Sequence, residues 1–199
     1  MSLYLEATLN DRDVQVSLDV DDGETVAILG PNGAGKSSVL EAIAGILRPD
    51  AGRATLDDDV LFGDGLWKPA HSRGTALLAQ DALLFPHLTV LDNVAFGPRS
   101  AGQTRSQSRT AAQLWLAEVD ATDLADRKPS ELSGGQAQRI GVARALAAEP
   151  RLLLLDEPMA ALDITVVPAM RQVLKRVLAG RTAIIVTHDV LDAALLADR

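Results

Sequence analysis

A lysine and a serine close a glycine-rich run near the N-terminus, at a spacing that suits phosphate binding. Residues 30–37 read GPNGAGKS and fit the pattern G-x-x-x-x-G-K-[ST] between a predicted strand and a predicted helix. Glycines let backbone N–H groups converge on phosphate oxygens, Lys36 can reach the outer phosphates, and the Ser37 hydroxyl can bind Mg²⁺. The run therefore predicts a nucleotide site; the alternative is a glycine-rich turn with a surface lysine. The predicted binding residues are Gly30, Pro31, Asn32, Gly33, Ala34, Gly35, Lys36, Ser37 and the adjacent Ser38.

Two acidic residues follow an all-leucine run late in the chain. Leu152–Leu155 is too short for a buried helix and predicts a central parallel strand that is covered on both faces. Ligands of open α/β sheets bind at the carboxyl ends of the strands. There Asp156 can hold Mg²⁺ through its water shell, and Glu157 can orient and polarise an attacking water. The alternative is a pair of solvated acids at a strand end.

The segment Leu132-Ser133-Gly134-Gly135-Gln136 precedes a long predicted helix and has two interpretations. Ser133 and Gln136 match the S-x-x-Q capping box, which is a purely structural helix start. Two glycines at a helix start are costly, however, and they suit a site where a ligand approaches the backbone. An exposed helix N-terminus with bare N–H groups can bind an anion. The residues alone do not separate the two interpretations.

Three further polar residues follow predicted strands or begin predicted helices. His188 can hydrogen-bond a phosphate or the attacking water, or it can simply be a helix-entry residue beside the cap Asp189. Gln80 can ligate Mg²⁺ or water, although a single glutamine after a strand usually has no such role. Asp163 is most simply the N-cap of a helix that begins near Ile164.

The surrounding patterns predict an α/β fold. Residues 2–9 and 13–20 alternate apolar and polar side chains and predict an antiparallel hairpin. Strands are also predicted at Thr25–Leu29, Thr75–Ala79 and Ala183–Val186, and helices at Lys36–Leu47 and over 165–179. Residues 88–150 have helical patterning and predict a helical subdomain inserted into the α/β core.

Composition restricts the class of protein. The 199 residues are 47% hydrophobic and 23% charged, as in globular proteins. The net charge of −8 argues against broad nucleic-acid binding, so no nucleic-acid partner is expected. The absence of cysteine excludes disulfides and thiolate metal sites. The N-terminus has no basic region typical of a signal peptide, and no apolar stretch approaches the roughly 20 residues that span a bilayer. Any role at a membrane is therefore expected to be peripheral.

Together and in this order, these motifs resemble those of the nucleotide-binding subunit of ABC (ATP-binding cassette) transporters. The resemblance covers residues from about 25 to 190. It implies a P-loop NTPase fold of the ABC type, with a central, mostly parallel sheet, an N-terminal antiparallel β subdomain and an inserted α-helical subdomain. The matching segments are Gly30–Ser37 (Walker A), Gln80 (Q-loop), Leu132–Gln136 (signature), Leu152–Glu157 (Walker B), Ala161–Asp163 (D-loop) and His188 (switch histidine).

The same resemblance implies a domain division and a partial cassette. Residues 1–87 and 151–199 form the α/β core with its N-terminal β part, and residues 88–150 form the helical subdomain that carries the signature. Members of the family continue past the position of Arg199 with further strands and a helix, so we expect the C-terminal end of the cassette to be missing from this sequence.

The resemblance also implies an ATPase mechanism that needs two chains. ATP and Mg²⁺ are the expected cofactors, and two chains pair head to tail with two ATP molecules between them. Glu157, His188 and Lys36 are the expected catalytic residues, and Ser37, Gln80 and Asp156 the expected metal ligands. The signature residues Ser133, Gly134, Gly135 and Gln136 of the partner chain are expected to complete each nucleotide site.

At a finer level, residues 78–90 and 126–139 are similar to molybdate importer ATPases. The implied function is ATP-driven uptake of a small oxyanion, on the cytoplasmic face of the inner membrane. A permease subunit is expected to bind the loop after Gln80, whose residues Leu83–Pro86 are apolar, and a solute-binding protein is an indirect partner. Sulfate and polyamine importers are close alternatives, and a DNA-repair or chromosome ATPase is a more distant one.

Two positions depart from the family pattern. The family usually stacks an aromatic residue on adenine from the hairpin before Walker A, but Tyr4, the only aromatic there, comes too early. Arg12 in the hairpin turn is the expected replacement, through a cation–π contact. Ala160 stands before the D-loop where a serine is common, so one contact across the expected dimer is missing.

Overall fold

A computed structural model describes residues 3–199, which form nine strands and seven α-helices. The strands are β1 (Leu3–Leu9), β2 (Val14–Val20), β3 (Thr25–Leu29), β4 (Ala51–Leu56), β5 (Asp59–Gly63), β6 (Leu66–Trp67), β7 (Thr75–Leu78), β8 (Leu152–Asp156) and β9 (Ala183–Thr187). The helices are α1 (Lys36–Ala44), α2 (Val90–Val94), α3 (Phe96–Ser100), α4 (Arg105–Glu118), α5 (Gly134–Ala147), α6 (Val167–Leu178) and α7 (Val190–Leu196).

Five strands form an antiparallel sheet in the order β2-β1-β4-β5-β6. Alternate side chains of β1 are buried, because successive residues of a strand point to opposite faces of the sheet. The register pairs Leu5 with Leu18 on one side and with Ala54 on the other. The predicted hairpin is therefore confirmed over the described residues; Ser2, which the pattern also includes, lies outside them.

The second sheet has the order β3-β9-β8-β7, and its strand pairs β3–β9 and β8–β9 are parallel. All five residues of β9 are buried, as the apolar strands of a parallel sheet require when both faces are covered. The register pairs Leu29 with Thr187 and Asp156 with Val186. The carboxyl ends of β3, β9 and β8 therefore lie side by side, and the prediction of a central parallel strand at β8 is confirmed.

Helix α1 ends three residues earlier than the sequence pattern predicts. Gly45 adopts a left-handed conformation with φ = 85°, and its N–H donates to the carbonyl of Ala42. The buried Arg73 guanidinium donates hydrogen bonds to the carbonyls of Ala42 and Ile43, over 2.7 and 2.9 Å. These contacts satisfy the carbonyls that a helix leaves free at its C-terminus, so the helix stops at Ala44 rather than Leu47.

The start of α6 also differs from the prediction. Asp163 does cap the backbone, because its carboxylate accepts hydrogen bonds from the N–H and the hydroxyl of Thr165. These contacts hold the pKa of Asp163 below its ordinary value. They also close a local turn, and the α-helix begins only at Val167 rather than near Ile164.

The chain divides into two compact units. The first contains residues up to Leu77, Arg151–Glu157 and Leu178–Arg199; the second contains Leu78–Pro150 and Pro158–Val177. The second unit thus begins ten residues before position 88 and includes a segment that the sequence-based division places in the core. The division into a core (1–87 and 151–199) and a helical subdomain (88–150) stays a prediction.

Each unit has its own apolar interior. In the first unit a cluster of aliphatic side chains from β1, β4, β8, β9 and α1 forms the core. In the second unit α4 and α5 bury Leu116, Ile140 and Leu146 completely. Within the described part of the chain, no helix is long and apolar enough to cross a membrane.

Candidate functional site

The glycine-rich loop connects β3 to α1 and needs glycine at two of its positions. Gly33 and Gly35 have φ values of 84° and 80°, which side chains rarely adopt. A Cβ atom on Gly35 would also lie 2.1 Å from Cγ2 of Val14. The loop therefore passes close to β2 before its backbone turns into the helix, and α1 begins at Lys36 itself.

Lys36 is held inside this loop. Its side chain is 7% exposed, and Nζ donates to the carbonyls of Gly30 and Pro31 at 2.8 and 2.9 Å. Nζ also lies 4.0 Å from Oε1 of Glu157. A buried ammonium group needs such partners, since an unpaired charge is expensive to bury. The cation is thus directed to the space that the loop surrounds, where anionic oxygens would meet it.

Ser37 and Asp156 come together from distant parts of the chain. Ser37 Oγ donates to Oδ1 of Asp156 over 3.0 Å. Burial raises the pKa of Asp156 and the neighbouring Glu157 carboxylate adds to this, whereas the Ser37 hydrogen bond and the charge of Lys36 lower it. A hydroxyl and a carboxylate oxygen side by side form a hard oxygen donor pair, which fits Mg²⁺ that keeps waters and phosphates as its other ligands.

Glu157 and His188 form a second pair at the same sheet edge. His188 Nδ1 lies 3.1 Å from Oε2 of Glu157. The Glu157 side chain is 15% exposed, whereas the His188 side chain is 55% exposed. Glu157 has φ = 44°, and its N–H is bound by the carbonyl of Val186. A non-glycine residue in this conformation points to a functional constraint on the direction of its side chain.

Arg12 lies beside the helix that follows the phosphate loop. Its Nη1 donates to Ser38 Oγ over 2.6 Å and lies 3.7 Å from Glu41. Half of the Arg12 side chain is exposed. The structure therefore brings Arg12 next to Ser38, one residue beyond the loop.

In the second unit, Ser133 is the N-cap of α5 and the capping box is complete. Ser133 Oγ accepts from the N–H of Gln136, and the Gln136 side chain accepts from the N–H of Ser133. Both interpretations of this segment therefore stay open. The formed capping box fits a structural helix start, and the exposed Ser133 fits an anion site.

The two glycines of this segment differ. A Cβ on Gly135 would lie 2.7 Å from Val166 Cγ1, so packing within the unit already disfavours a side chain there. A Cβ on Gly134 would have only the Ala161 carbonyl within 4 Å, at 3.9 Å. Internal packing thus accounts for Gly135 but leaves Gly134 without a reason inside the unit.

Gln80 lies in the second unit, two residues after β7 ends at Leu78, and its side chain is exposed. The predicted strand reached Ala79, one residue too far. Asp189 is the cap of α7, as predicted, because its carboxylate accepts from the N–H of Leu191. His188 therefore precedes a capped helix and contacts Glu157 at the same time.

Sequence reasoning missed Arg73. Its side chain is fully buried, donates to the end of α1 and lies over the Trp67 ring at 4.2 Å. Burial lowers its pKa to about 10, which leaves it cationic at neutral pH. Gly45 is an indirect signal of this contact in the sequence. A Cβ atom placed there would lie 2.5 Å from Arg73 Nε, so the buried arginine requires a glycine at that position.

Comparisons with known proteins agree with this geometry. The family model described as ABC transporter matches residues 14–160. The chain belongs to the ABC transporter family. This ABC-family chain is 52% identical, over 99% of its length, to the molybdenum import ATP-binding protein ModC of Mycobacterium tuberculosis. It is 47% identical, over 89% of its length, to the Fe(3+) ions import ATP-binding protein FbpC of Mesorhizobium japonicum.

A solved structure of the family has the same fold. The dimeric post-hydrolysis structure of the ATP-binding cassette MJ0796, bound to ADP and Pi, is 30% identical and has a TM-score of 0.82. The match covers 98% of this chain and 91% of that one. The predicted α/β P-loop NTPase fold of the ABC type is thereby confirmed. The ABC-family chain spans about half the length of the relatives that it matches, 56% of ModC and 49% of FbpC.

Proposed function

We propose that this chain binds and hydrolyses ATP as the nucleotide-binding part of an ABC importer. The observation that supports this most directly is the cluster at the carboxyl ends of β3, β8 and β9. There a buried lysine, a hydroxyl–carboxylate pair and a glutamate–histidine pair lie within one site. These are the groups that phosphoryl transfer to water requires for holding phosphates, a metal and a nucleophile.

Each group has one task in the proposed reaction. The N–H groups of the loop and Lys36 Nζ bind the β- and γ-phosphates, and Lys36 exchanges its carbonyl partners for phosphate oxygens. Ser37 and Asp156 would hold Mg²⁺, which neutralises charge on those phosphates when it is bound. Glu157 orients and polarises the water that attacks the γ-phosphate, and His188 keeps the Glu157 carboxylate in place and reaches the γ-phosphate.

The proposed active unit is a head-to-tail dimer of this chain with two ATP molecules. Gln80 would face the metal and the attacking water, and the helix start Ser133–Gln136 of a second copy would face the γ-phosphate. The open space beside Gly134 supports this proposal, because a phosphate can approach that backbone without a side chain in the way. The helix N-terminus would then offset charge that develops in the transition state.

A permease is the proposed membrane partner, bound through the loop after Gln80. Within the second unit, a cavity of about 310 Å³ lies next to this loop; its lining includes Phe96, Arg99 and Arg105, and also Arg109 in an ion pair with Asp92 at 2.7 Å. Leu83 in the loop is 70% exposed. An apolar loop beside a cationic cavity fits a short amphipathic segment of a membrane protein. The chain would accordingly act at the cytoplasmic face of the membrane, with a solute-binding protein as an indirect partner.

The proposed transported solute is molybdate. The similarity to ModC supports it, and the similarity to the Fe(3+) importer FbpC makes other small ions the alternative. The nucleotide site itself does not select the solute. Growth of a strain that depends on this chain for uptake, measured under molybdate, sulfate or iron limitation, would distinguish these solutes.

The variant Glu157→Gln tests the proposed chemistry. We expect the ATP affinity to stay within a few fold of wild type, because Lys36 and the loop are intact. The hydrolysis rate should fall by about 10²- to 10⁴-fold, the usual contribution of a positioned general base. Glu149→Gln is the matched control, since Glu149 is exposed and lies outside the cluster. Equal hydrolysis by wild type and Glu157→Gln would contradict the assignment of Glu157.

A further inference from the structure

Helix α5 makes a second contact that the signature sequence at its start does not explain. Near its C-terminal end, Arg144 Nη2 donates to the carbonyl of Ala82 over 2.7 Å, and Nη1 donates to the carbonyl of Leu83 over 2.8 Å. The Arg144 guanidinium also lies 5.3 Å from the centre of the Phe85 ring. One side chain of the signature helix therefore contacts three residues of the loop after Gln80.

The loop is held in a conformation that it would not adopt alone. Leu83 has φ = 44°, which is unfavourable for a residue with a Cβ, and its side chain is largely exposed. No burial of Leu83 compensates for this backbone, so the compensation must come from its hydrogen bonds. The Arg144 fork satisfies the Leu83 carbonyl and its predecessor together, which matches the planar geometry of a guanidinium.

Two neighbouring residues complete the attachment. Gly141, one helical turn before Arg144, allows a close approach, because a Cβ there would lie 2.9 Å from Leu78 Cδ1 and 3.2 Å from Ala82 Cβ. On the other side of the loop, the buried Asn93 accepts from the N–H of Phe85 over 2.8 Å and donates to its carbonyl over 3.2 Å. The loop is thus bound from both sides within one compact unit.

We propose that Arg144 is a positioning residue that joins the loop 81–86 to α5, so that a displacement of the loop moves the helix start at Ser133. The loop is the proposed permease contact, and Ser133 is proposed to face the nucleotide of a second copy. The proposal therefore rests on the function given above and extends it. Arg144 is the mechanical connection through which permease binding would affect hydrolysis, although it touches neither nucleotide nor water.

The test compares Arg144→Lys with Arg139→Lys in the whole chain. Arg139 lies on the same helix and also donates to two consecutive carbonyls, those of Val119 and Asp120, away from the loop. A lysine has one compact ammonium group and cannot reproduce the fork. In Arg144→Lys we expect amide exchange over residues 82–85 to accelerate about tenfold, the effect of losing one charged hydrogen bond. Exchange in Arg139→Lys should change only around residue 120.

Kinetics provide a readout that general destabilisation would not reproduce. In Arg144→Lys we expect the kcat for ATP hydrolysis to fall by about three- to tenfold while the KM changes by less than about twofold, as expected when an interaction outside the binding step is lost. Unchanged loop exchange in Arg144→Lys, or the same loop exchange in both variants, would overturn the proposal. If the wild-type chain hydrolyses no ATP, the proposed function fails, but the exchange data still decide whether Arg144 holds the loop.

A second pair of variants covers the case in which Arg144→Lys does not fold. Leu83→Val places a β-branched residue at φ = 44°, whereas Leu83→Asn places one that tolerates this conformation. Because Leu83 is exposed, neither variant removes core packing. We expect faster amide exchange over residues 82–85 in Leu83→Val than in Leu83→Asn. Equal exchange would show that Arg144 does not maintain the left-handed conformation of Leu83.

Discussion

At the scale of single residues, the charged groups of the cluster are held by partners within the chain. Lys36 is buried and already donates to two loop carbonyls, and Glu157 is in hydrogen-bond contact with His188. Charged groups in such surroundings are stabilised by fixed partners rather than by water. Ligand binding would then exchange partners without a large search for the side-chain positions, which is the basis of preorganised electrostatics.

Asp156 carries a cost for this preparation. Burial raises its pKa above the ordinary value of 3.8. Well below that pH the carboxyl is protonated in both the folded and the unfolded chain, so it has no effect on stability. As the pH rises through the raised pKa, ionisation is less favourable in the folded chain than in the unfolded chain, and the folded chain loses stability. We therefore expect Asp156→Asn to raise the melting temperature of the nucleotide-free chain at neutral pH and to weaken its decline from acid to neutral pH.

The same variant should lose the stabilisation that ATP with Mg²⁺ provides, since a metal ligand is removed. Thermal unfolding with and without nucleotide measures both effects. For the nucleotide-free measurement Ser37→Ala is the control, because it removes the hydrogen bond to Asp156 and leaves the carboxylate. A lower melting temperature for nucleotide-free Asp156→Asn than for wild type at neutral pH would contradict the assignment of a buried, penalised carboxylate.

Arg12 belongs to the same scale, as the predicted contact of adenine. Its position beside Ser38 is compatible with stacking, so Arg12→Ala should weaken ATP binding by about two- to fivefold, as for an exposed cation–π pair. Inorganic tripolyphosphate separates stacking from charge, because it has no base. Calorimetry should show a loss of affinity for ATP and little change for tripolyphosphate; equal losses would assign Arg12 to the phosphates instead.

At the scale of elements, α1 is the part that the site depends on most. Its N-terminus begins at Lys36, where the partial positive charge of a helix favours anions. Its C-terminus is bound by Arg73, and the partial negative charge at that end of a helix favours a cation. A nine-residue helix is marginal by itself, so these end contacts and the buried face of α1 determine where Lys36 and Ser37 lie.

Gly45 at the end of this helix and Gly65 in the turn between β5 and β6 separate backbone strain from crowding. Gly45 and Gly65 have similar φ values, 85° and 81°, but only Gly45 is crowded, because a Cβ there would meet Arg73. We expect Gly65→Ala to cost about 1 kcal/mol, the penalty of a left-handed alanine. Gly45→Ala should cost about 2–4 kcal/mol, because overpacking displaces the buried guanidinium as well. Urea unfolding of both variants measures the difference, and equal costs would contradict the role of Arg73.

At the scale of the whole molecule, the nucleotide groups and the signature belong to different compact units. The first unit contains the phosphate loop, Asp156, Glu157 and His188, and the second contains Gln80 and Ser133. The proposed dimer explains why a complete site would need both kinds of unit. In this proposal ATP binding is a property of one chain, whereas rapid hydrolysis would require two.

This separation gives a prediction for assembly. With ATP, Glu157→Gln should form a dimer that size-exclusion chromatography with light scattering detects. Adding Ser133→Arg should keep ATP binding within a few fold and abolish the dimer, because the bulky cation occupies the helix start that a partner's phosphate would approach. Ser130→Arg, three residues earlier and exposed, introduces the same change in charge and is the matched control. A dimer that persists in the Ser133 variant would contradict the head-to-tail arrangement.

Short-range patterns were enough for much of the fold and for the types of residue at the site. The hairpin, β3, β8, β9 and the capping box at Ser133 all depend on spacings within about ten residues, so they can be recognised without a structure. The predicted end of α1 and the predicted start of α6 were wrong. Arg73, which is distant in sequence, binds the backbone at the end of α1 and stops that helix, and Asp163 binds the backbone before α6 and delays its start.

Contacts between distant segments are a matter of tertiary structure. Ser37 meets Asp156 across 119 residues, and Arg73 and Arg144 acquire their partners only when strands and helices pack. Such pairs depend on the register of parallel strands and on helix packing, which no local spacing encodes. The sequence was therefore sufficient to recognise a phosphate loop and the class of chemistry that it serves. Packing decided that Arg73 binds the end of the loop's helix and that Arg144 joins the signature helix to the loop after Gln80.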